Sequence, residues 1–244
     1  VIWACNSVST NLHHWAIVKD AQKKGAKVVV IDSYKSRTAK LADWHIMPKP
    51  GTDGALAMAI INSIIENDFV DNDYVQKYTN GFEKLKEHAK TKTPAWASKI
   101  TGISETDIKQ LAKELATSQP AAIRIGVALE RHHGGGQTIR AVTCISALTG
   151  AWKHVGGGIT QFPVWEHPYK FDVICRPDWV PENTRVINAL QIGRVLTGEI
   201  HKDIPVKSFM CWNANPVTQA PETEKIVSGL MRDDIFVVSA EHFI

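Results

Sequence analysis

The segment Lys27-Val28-Val29-Val30-Ile31 restricts the possible fold more than any other. It is too short for a helix, and its β-branched residues are apolar at every position. Such a strand is buried on both faces, as happens in parallel sheets covered by helices. Upstream, Leu12, Trp15, Ile17, Val18 and Ala21 make a rough helical stripe that ends near Gly25, a residue suited to a left-handed C-cap. Before that stripe, Val1-Ile2-Trp3-Ala4-Cys5 reads as another buried strand. Strand, helix and strand joined by a Gly-terminated crossover favour a parallel sheet. The expected class is α/β, with Rossmann-like parallel sheets and flanking helices.

The rest of the chain continues this alternation. A short helix over 38–43 leads to a strand near 44–47, and the turn Pro50-Gly51-Thr52-Asp53 opens a helix whose Ala57, Ile60, Ile61 and Ile64 share one face. Residues 70–118 read as a helical, mostly polar extension. Its clearest helix starts at Ser104, with Asp107 imitating a capping box and Ile108, Leu111, Ala112 and Leu115 on the apolar face. A strand over 121–126 and Gly134-Gly135-Gly136 precede a helix over 137–148. Residues 150–185 contain Gly156-Gly157-Gly158, several prolines and four aromatic residues between Phe162 and Phe171, and read as a long irregular loop of functional character. A helix near 186–196, a strand over 206–212, a helix over 223–231 and a strand over 235–239 complete the pattern. The expected domains are 1–125, an α/β nucleotide-binding domain with the 70–118 extension, and 126–244, returning into an adjoining α/β domain through the loop. The chain opens and closes on apolar runs without an initiating Met, which reads as an internal piece of a larger protein.

Composition excludes little but is useful. A net charge of +3 over 244 residues argues against nucleic acid as the main partner. No apolar run approaches the ~18 residues of a membrane span. Cys5, Cys144, Cys175 and Cys211 form no C-x-x-C pair and are expected to be buried small hydrophobes.

In an open parallel sheet, ligands bind beyond the carboxyl ends of the strands. The segments found there are Asn6-Ser7, Asp32-Ser33-Tyr34-Lys35-Ser36, Gly51-Thr52-Asp53, Gly126 with Glu130-Arg131-His132-His133, Asn213-Ala214-Asn215, and Ser239. Hydroxyls, amides, isolated acids and tight turns suit a nucleotide, with backbone N–H groups for phosphate and an acid for ribose or purine. Asp32 stands where dinucleotide folds place a ribose-binding acid, roughly 20 residues past the first turn; a helix N-cap is the alternative. The first turn lacks G-x-G-x-x-G, which disfavours an ordinary NAD site. Asp53 either complements a helix dipole or accepts from the N–H edge of guanine. The pairs His13-His14 and His132-His133 lack further ligands at metal-binding spacing. The two Gly triplets suggest either flexible turns or close approach of backbone to a ligand. Most tryptophans read as packing residues, Trp3 and Trp212 at strand ends excepted.

In this order the segments resemble the DMSO reductase family of molybdenum and tungsten enzymes. The resemblance rests on Trp3-Ala4-Cys5-Asn6, Val30-Ile31-Asp32 with Arg37-Thr38, Pro50-Gly51-Thr52-Asp53, Asp68-Phe69-Val70-Asp71, Thr79-Asn80-Gly81-Phe82, Arg131-His132, Leu148-Thr149-Gly150, Asn213-Ala214-Asn215-Pro216 and Asp234-Ile235-Phe236. It implies a molybdopterin-dependent oxidoreductase binding two molybdopterin guanine dinucleotides (bis-MGD) with Mo or W. It also implies an iron–sulfur cluster in an N-terminal part outside this chain, and possible pairing with an iron–sulfur electron-transfer subunit. The metal ligand would also lie upstream, so no catalytic or metal-binding residue is assigned, and the chain alone is expected to be inactive. The cofactor-binding residues implied are Trp3, Asn6, Ser7, Asp32, Ser33, Lys35, Ser36, Gly51, Thr52, Asp53, Arg131, Asn213, Asn215 and Ser239. Asn6 and Ser7 would cradle pyrophosphate, Asp32 to Ser36 would meet ribose and guanine, and Thr52-Asp53 would hold the guanine edge. Arg131 would face the pterin, and Asn213 or Asn215 with Ser239 the second nucleotide. Lys35, Arg37, Arg131 and Arg140 could compensate phosphate charge. Ala4 replaces the family's usual Gly, so the first turn must tolerate a Cβ. The alternatives are a cofactor-free structural homologue within a redox complex and a generic Rossmann-like nucleotide-binding protein.

Overall fold

The computed structural model describes residues 1–161 and 168–241, which fall into two compact units, Val1–His167 and Pro168–Ile244. Phe162 and Trp165, two of the four aromatic residues noted above, lie outside the described residues, as do the last three positions.

The first unit is built on a five-stranded parallel sheet. Its strands are β1 (Ile2–Trp3), β2 (Val29–Ile31), β3 (Trp44–Ile46), β4 (Ala122–Ile125) and β5 (Gly158–Thr160). Their spatial order is β3-β2-β1-β4-β5, so strand order reverses between β1 and β4, where a doubly wound sheet opens a crevice at its carboxyl edge. Successive side chains of a strand point to opposite faces. Trp3, Val29 and Ile31 therefore join one core, while Ile2, Val28 and Val30 join another with Trp15 and Ala39. The uninterrupted apolar run of β2 follows from this double burial.

Helices α1 (Ser7–Thr10) and α2 (Leu12–Lys23) separate β1 from β2, and α3 (Asp53–Glu66) follows β3. In α3, Leu56, Ala57 and every residue from Ala59 to Ile64 are buried, so this helix is enclosed on nearly all sides, beyond the single stripe expected. The enclosure comes from α4 (Asn72–Tyr78), α5 (Phe82–Ala89), α6 (Pro94–Thr101), α7 (Glu105–Thr117) and α8 (Gly135–Leu148), of which α5, α6, α7 and α8 contact α3 directly. Residues 70–118 are thus a layer of the core, contributing buried Ala89, Ala97, Ile108, Leu111 and Leu115. Asn62 Nδ2 satisfies the carbonyl at the end of α5, donating to Ala89 O at 3.1 Å. Ser104 caps α7 as expected, accepting from Asp107 N at 3.0 Å.

The boundary between the two compact units falls at 167/168, where β4, α8 and β5 have completed the first sheet and its helical cover; the expected domains divided the chain at 125/126. The loop expected over 150–185 holds a 3-10 turn, Ala151–Lys153, and then an edge strand, β5, paired to β4 from Gly158 to Thr160. Gly157 and Gly158 permit close approach to protein: a Cβ on Gly157 would lie 2.2 Å from Ala151 O, and one on Gly158 2.4 Å from the Trp152 indole.

In the second unit, β6 (Ser208–Trp212) and β7 (Phe236–Ala240) pair in parallel, Cys211 opposite Ser239. A five-residue helix, α9 (Phe171–Cys175), begins the unit. Helix α10 (Ile192–Leu196) packs on α12 (Thr223–Leu230), and α11 (Pro216–Gln219) follows β6. Gly229 is required there, since its Cβ would meet Leu196 Cβ at 2.4 Å. The expected helix over 186–196 is a 3-10 turn at Ala189–Gln191 followed by α10. The cysteines are free, and none is fully buried: three are half-buried and Cys175 is exposed, so their reading as core residues is corrected.

Candidate functional site

Four strand-following loops of the first unit converge on one cavity of about 320 Å³. Its walls include Ala4, Cys5 and Asn6 after β1, Asp32 to Tyr34 after β2, Gly51 and Asp53 after β3, and Gly126 to Leu129 with His132 after β4. This is the crevice at the strand-order reversal, and its size sits at the lower end of small-molecule sites, roughly 300–1,000 Å³.

The loops are held by a short polar chain. Thr38 Oγ1, fully buried, donates to Asn6 Oδ1 at 2.9 Å and accepts from Val8 N at 3.0 Å. Asn6 Nδ2 reaches Tyr34 Oη at 3.2 Å, tying the first loop to the second. Trp3 Nε1 donates to Asp53 Oδ1 at 2.7 Å. Ala4 carries the left-handed φ of 52° that the family's usual glycine would accept without strain. Gly51 supplies the left-handed φ of +77° that the turn after β3 requires, with the His132 ring beside it.

Electrostatics decide what the cavity can take. Asp32 and Asp53 both face it. Burial holds the Asp32 carboxyl above its ordinary range, and the Asp53 charge pushes the same way. Hydrogen bonds from Ser36 and the Ser33 backbone, with nearby His45, oppose the shift. Two acids repel phosphate and attract hydrogen-bond donors, such as a ribose diol or the N–H edge of a purine. Because the folded-state pKa of Asp32 is raised, the folded protein binds this proton more tightly than the unfolded chain does. That contribution is fully present below the unfolded pKa and is lost as pH rises through the folded value. The Asp32→Asn variant is therefore expected to show less fall in melting temperature than the parent as pH rises from the ordinary aspartate range towards neutrality, in ligand-free protein. An identical pH profile for the two would refute this.

The structure brings together Asn6, Asp32, Ser33, Gly51 and Asp53, with Thr52 immediately beside them. Three further expected residues lie beneath the cavity surface. Trp3 and Ser7 are fully enclosed, and Ser36 is 1% exposed. Trp3 supports Asp53, Ser7 Oγ lies between Cys5 Sγ and His14 Nδ1, and Ser36 Oγ accepts from Ala39 N. The backbone N–H groups of Val8, Ser9 and Thr10 already have protein acceptors, which leaves the first turn poorly suited to cradle pyrophosphate. Thr52 Oγ1 closes its own turn on Lys49 O at 2.6 Å. Lys35, Arg37 and Arg131 are exposed, whereas Arg140 lines a different cavity. That second cavity, about 690 Å³ among α3, α5, α6 and α8, is larger and mostly apolar; no carboxylate lines it, and Lys84, His88, Lys92 and Arg140 stand in its wall. In the second unit, Asn213 and Asn215 follow β6 and Ser239 lies in β7, all exposed at the carboxyl edge of that pair. Asn213 adopts a left-handed φ of 50°, and Asn215 caps α11.

Tyr34, Thr38 and His132 stand only inside longer segments of the sequence reading and are not among the cofactor-binding residues it implies. Their positions just past β2 and β4 were the available signal. Among the described residues, no group of three or more His, Cys, Asp or Glu side chains is arranged to hold a metal ion, and no helix is long and apolar enough to cross a membrane.

The five-stranded parallel sheet, with its strand order reversing between β1 and β4 and paired acids at its carboxyl edge, defines a doubly wound α/β domain. The chain belongs to the molybdopterin oxidoreductase family, whose pattern matches residues 5–243, and to its DMSO reductase group. It is 41% identical over 245 residues to the probable oxidoreductase YoaE of Bacillus subtilis (strain 168), covering 100% of this chain and 36% of that protein. It is 30% identical over 258 residues to the probable dimethyl sulfoxide reductase chain YnfF of Escherichia coli (strain K12), covering 91% and 32%. The solved structure of acetylene hydratase from Pelobacter acetylenicus shares the fold, with a TM-score of 0.66 at 24% identity over 98% of this chain and 38% of that one. The chain spans about a third of the length of these curated relatives. Family membership implies a molybdopterin cofactor carrying molybdenum or tungsten in an oxidoreductase.

Proposed function

We propose that this chain supplies the guanine-nucleotide-binding α/β region of a bis-MGD oxidoreductase performing two-electron redox or oxygen-atom transfer. The observation that carries the reading is the convergence of Asp32 and Asp53 on one nucleoside-sized cavity at the strand-order reversal. In this reading Asp32 accepts from ribose hydroxyls, with Ser33 and Asn6 beside it. Asp53 accepts from the guanine N1–H and N2–H groups, and the turn through Gly51-Thr52 sets its position. Lys35 and Arg37 lie outside the acidic cavity, where phosphate charge belongs, and Arg131 faces the pterin. Asn213, Asn215 and Ser239 serve the second nucleotide. The cofactor's metal supplies the redox chemistry, and this chain binds and orients the cofactor. An iron–sulfur cluster and an electron-transfer subunit complete the proposed whole protein.

The test is the composition of the whole protein purified from a molybdenum-sufficient host. Elemental analysis is expected to find Mo or W, and acid hydrolysis to release two GMP per metal. Protein free of both metal and nucleotide would point to a cofactor-free homologue. Thermal stabilisation by NAD but not by GMP would point to a generic Rossmann-like protein.

A further inference from the structure

We propose that Trp3 is a positioning residue that makes the site selective for guanine, its indole N–H pinning the Asp53 carboxylate in the plane a purine donor edge requires. The inference rests on the reading that Asp53 faces a guanine base.

Trp3 is fully buried at the end of the central strand, in register with Ile31 on one side and Ile125 on the other. Strand alternation turns its side chain to the face covered by α3 and leaves Ile2 on the opposite face. The indole therefore meets the first residue of α3, and Nε1 donates to Asp53 Oδ1 at 2.7 Å. Asp53 is half-buried and lines the cavity. It is not held as a helix cap, because Thr52 occupies that position and directs its hydroxyl to Lys49 O.

The terminal torsion of an aspartate is broad and roughly two-fold, so an unheld carboxylate samples many planes. A donor from the rigid core removes that freedom, and each carboxylate oxygen keeps a further lone pair. Oδ1 and Oδ2 together can then accept from two parallel N–H groups, the arrangement on the guanine N1–N2 edge. The same fixed oxygens repel the ring-nitrogen acceptor that adenine presents there. Discrimination arises from this repulsion as well as from the bonds formed.

A purely structural role would have Asp53 serve merely as the acceptor a buried indole needs. Trp3→Phe separates the two cases when GMP and AMP binding are measured by calorimetry on the protein. The expected result is that the GMP:AMP affinity ratio falls about tenfold while AMP binding and the unfolding transition are retained. Where Phe leaves too small a core, an isosteric benzothienylalanine at position 3 keeps the bicyclic volume, replaces N–H by sulfur, and is expected to give the same fall. Equal weakening of both nucleotides, or an unchanged ratio in both variants, overturns the proposal while leaving guanine recognition standing. If the unsubstituted protein does not prefer GMP, guanine recognition fails and the role of Trp3 falls with it.

Discussion

Gly126→Ala is expected to destabilise the first unit by roughly 3 kcal/mol or more and to abolish nucleotide-induced stabilisation. The reason is space alone, since Gly126 has an ordinary extended backbone (φ −92°, ψ 159°) that any residue adopts. A Cβ there would lie 1.8 Å from Ala4 O, 2.7 Å from Ala4 C and 3.1 Å from Cys5 Cα. All three are backbone atoms of the loop after β1, which cannot swing aside as a long side chain can. Gly126 N also donates to Trp3 O at 2.8 Å, so relieving the clash breaks the ladder between β1 and β4 at the mouth of the cavity. Gly136 supplies the control. It lies in α8 with nothing within 4 Å of its notional Cβ, so Gly136→Ala should instead raise stability by about 0.5–1 kcal/mol. Chemical denaturation of the two variants checks both signs, and a Gly126→Ala protein within about 1 kcal/mol of the parent would overturn the packing argument.

The Asp53→Ala substitution carries the second large effect, on both stability and binding. In the free protein it leaves the Trp3 indole N–H buried without its acceptor, which costs about 1–3 kcal/mol. On the proposed guanine reading it also removes both acceptors for the base, and about a hundredfold loss of GMP affinity is expected. Asp53→Asn should restore much of the stability, because an amide oxygen still accepts from the indole, without restoring the affinity. The energetic coupling is testable by a cycle: losses from Trp3→Phe and Asp53→Ala should combine far less than additively, because both remove one bond. Additive losses would mean that the 2.7 Å contact is energetically idle.

Much of this architecture is legible from local pattern. The β-branched run of β2 specifies a doubly buried strand, Pro50-Gly51 announces the start of α3, and Ser104 with Asp107 marks α7, because periodicity and capping depend on residues a few positions apart. The order of motifs also suffices for the family, and it places Asp32 just past β2 and Asp53 at the start of the helix that follows β3. The edge strand Gly158–Thr160 escapes such reading, since three residues opening on a left-handed glycine carry no alternation, and their identity as a strand comes from pairing with Ala122–Arg124.

Sequence alone determined the alternation of strand and helix, the family, and which polar residues stand beyond the strands. Tertiary structure alone decided which of them reach the cavity. It enclosed Ser7 and Ser36, turned Trp3 from an expected ligand contact into the support of Asp53, and set Gly126 against Ala4. The physical reason is that exposure and hydrogen-bond partnership depend on contacts distant in the chain. The pair Trp3 and Asp53 is separated by 50 positions, and a single-residue shift in the register of β1 would have pointed the indole away.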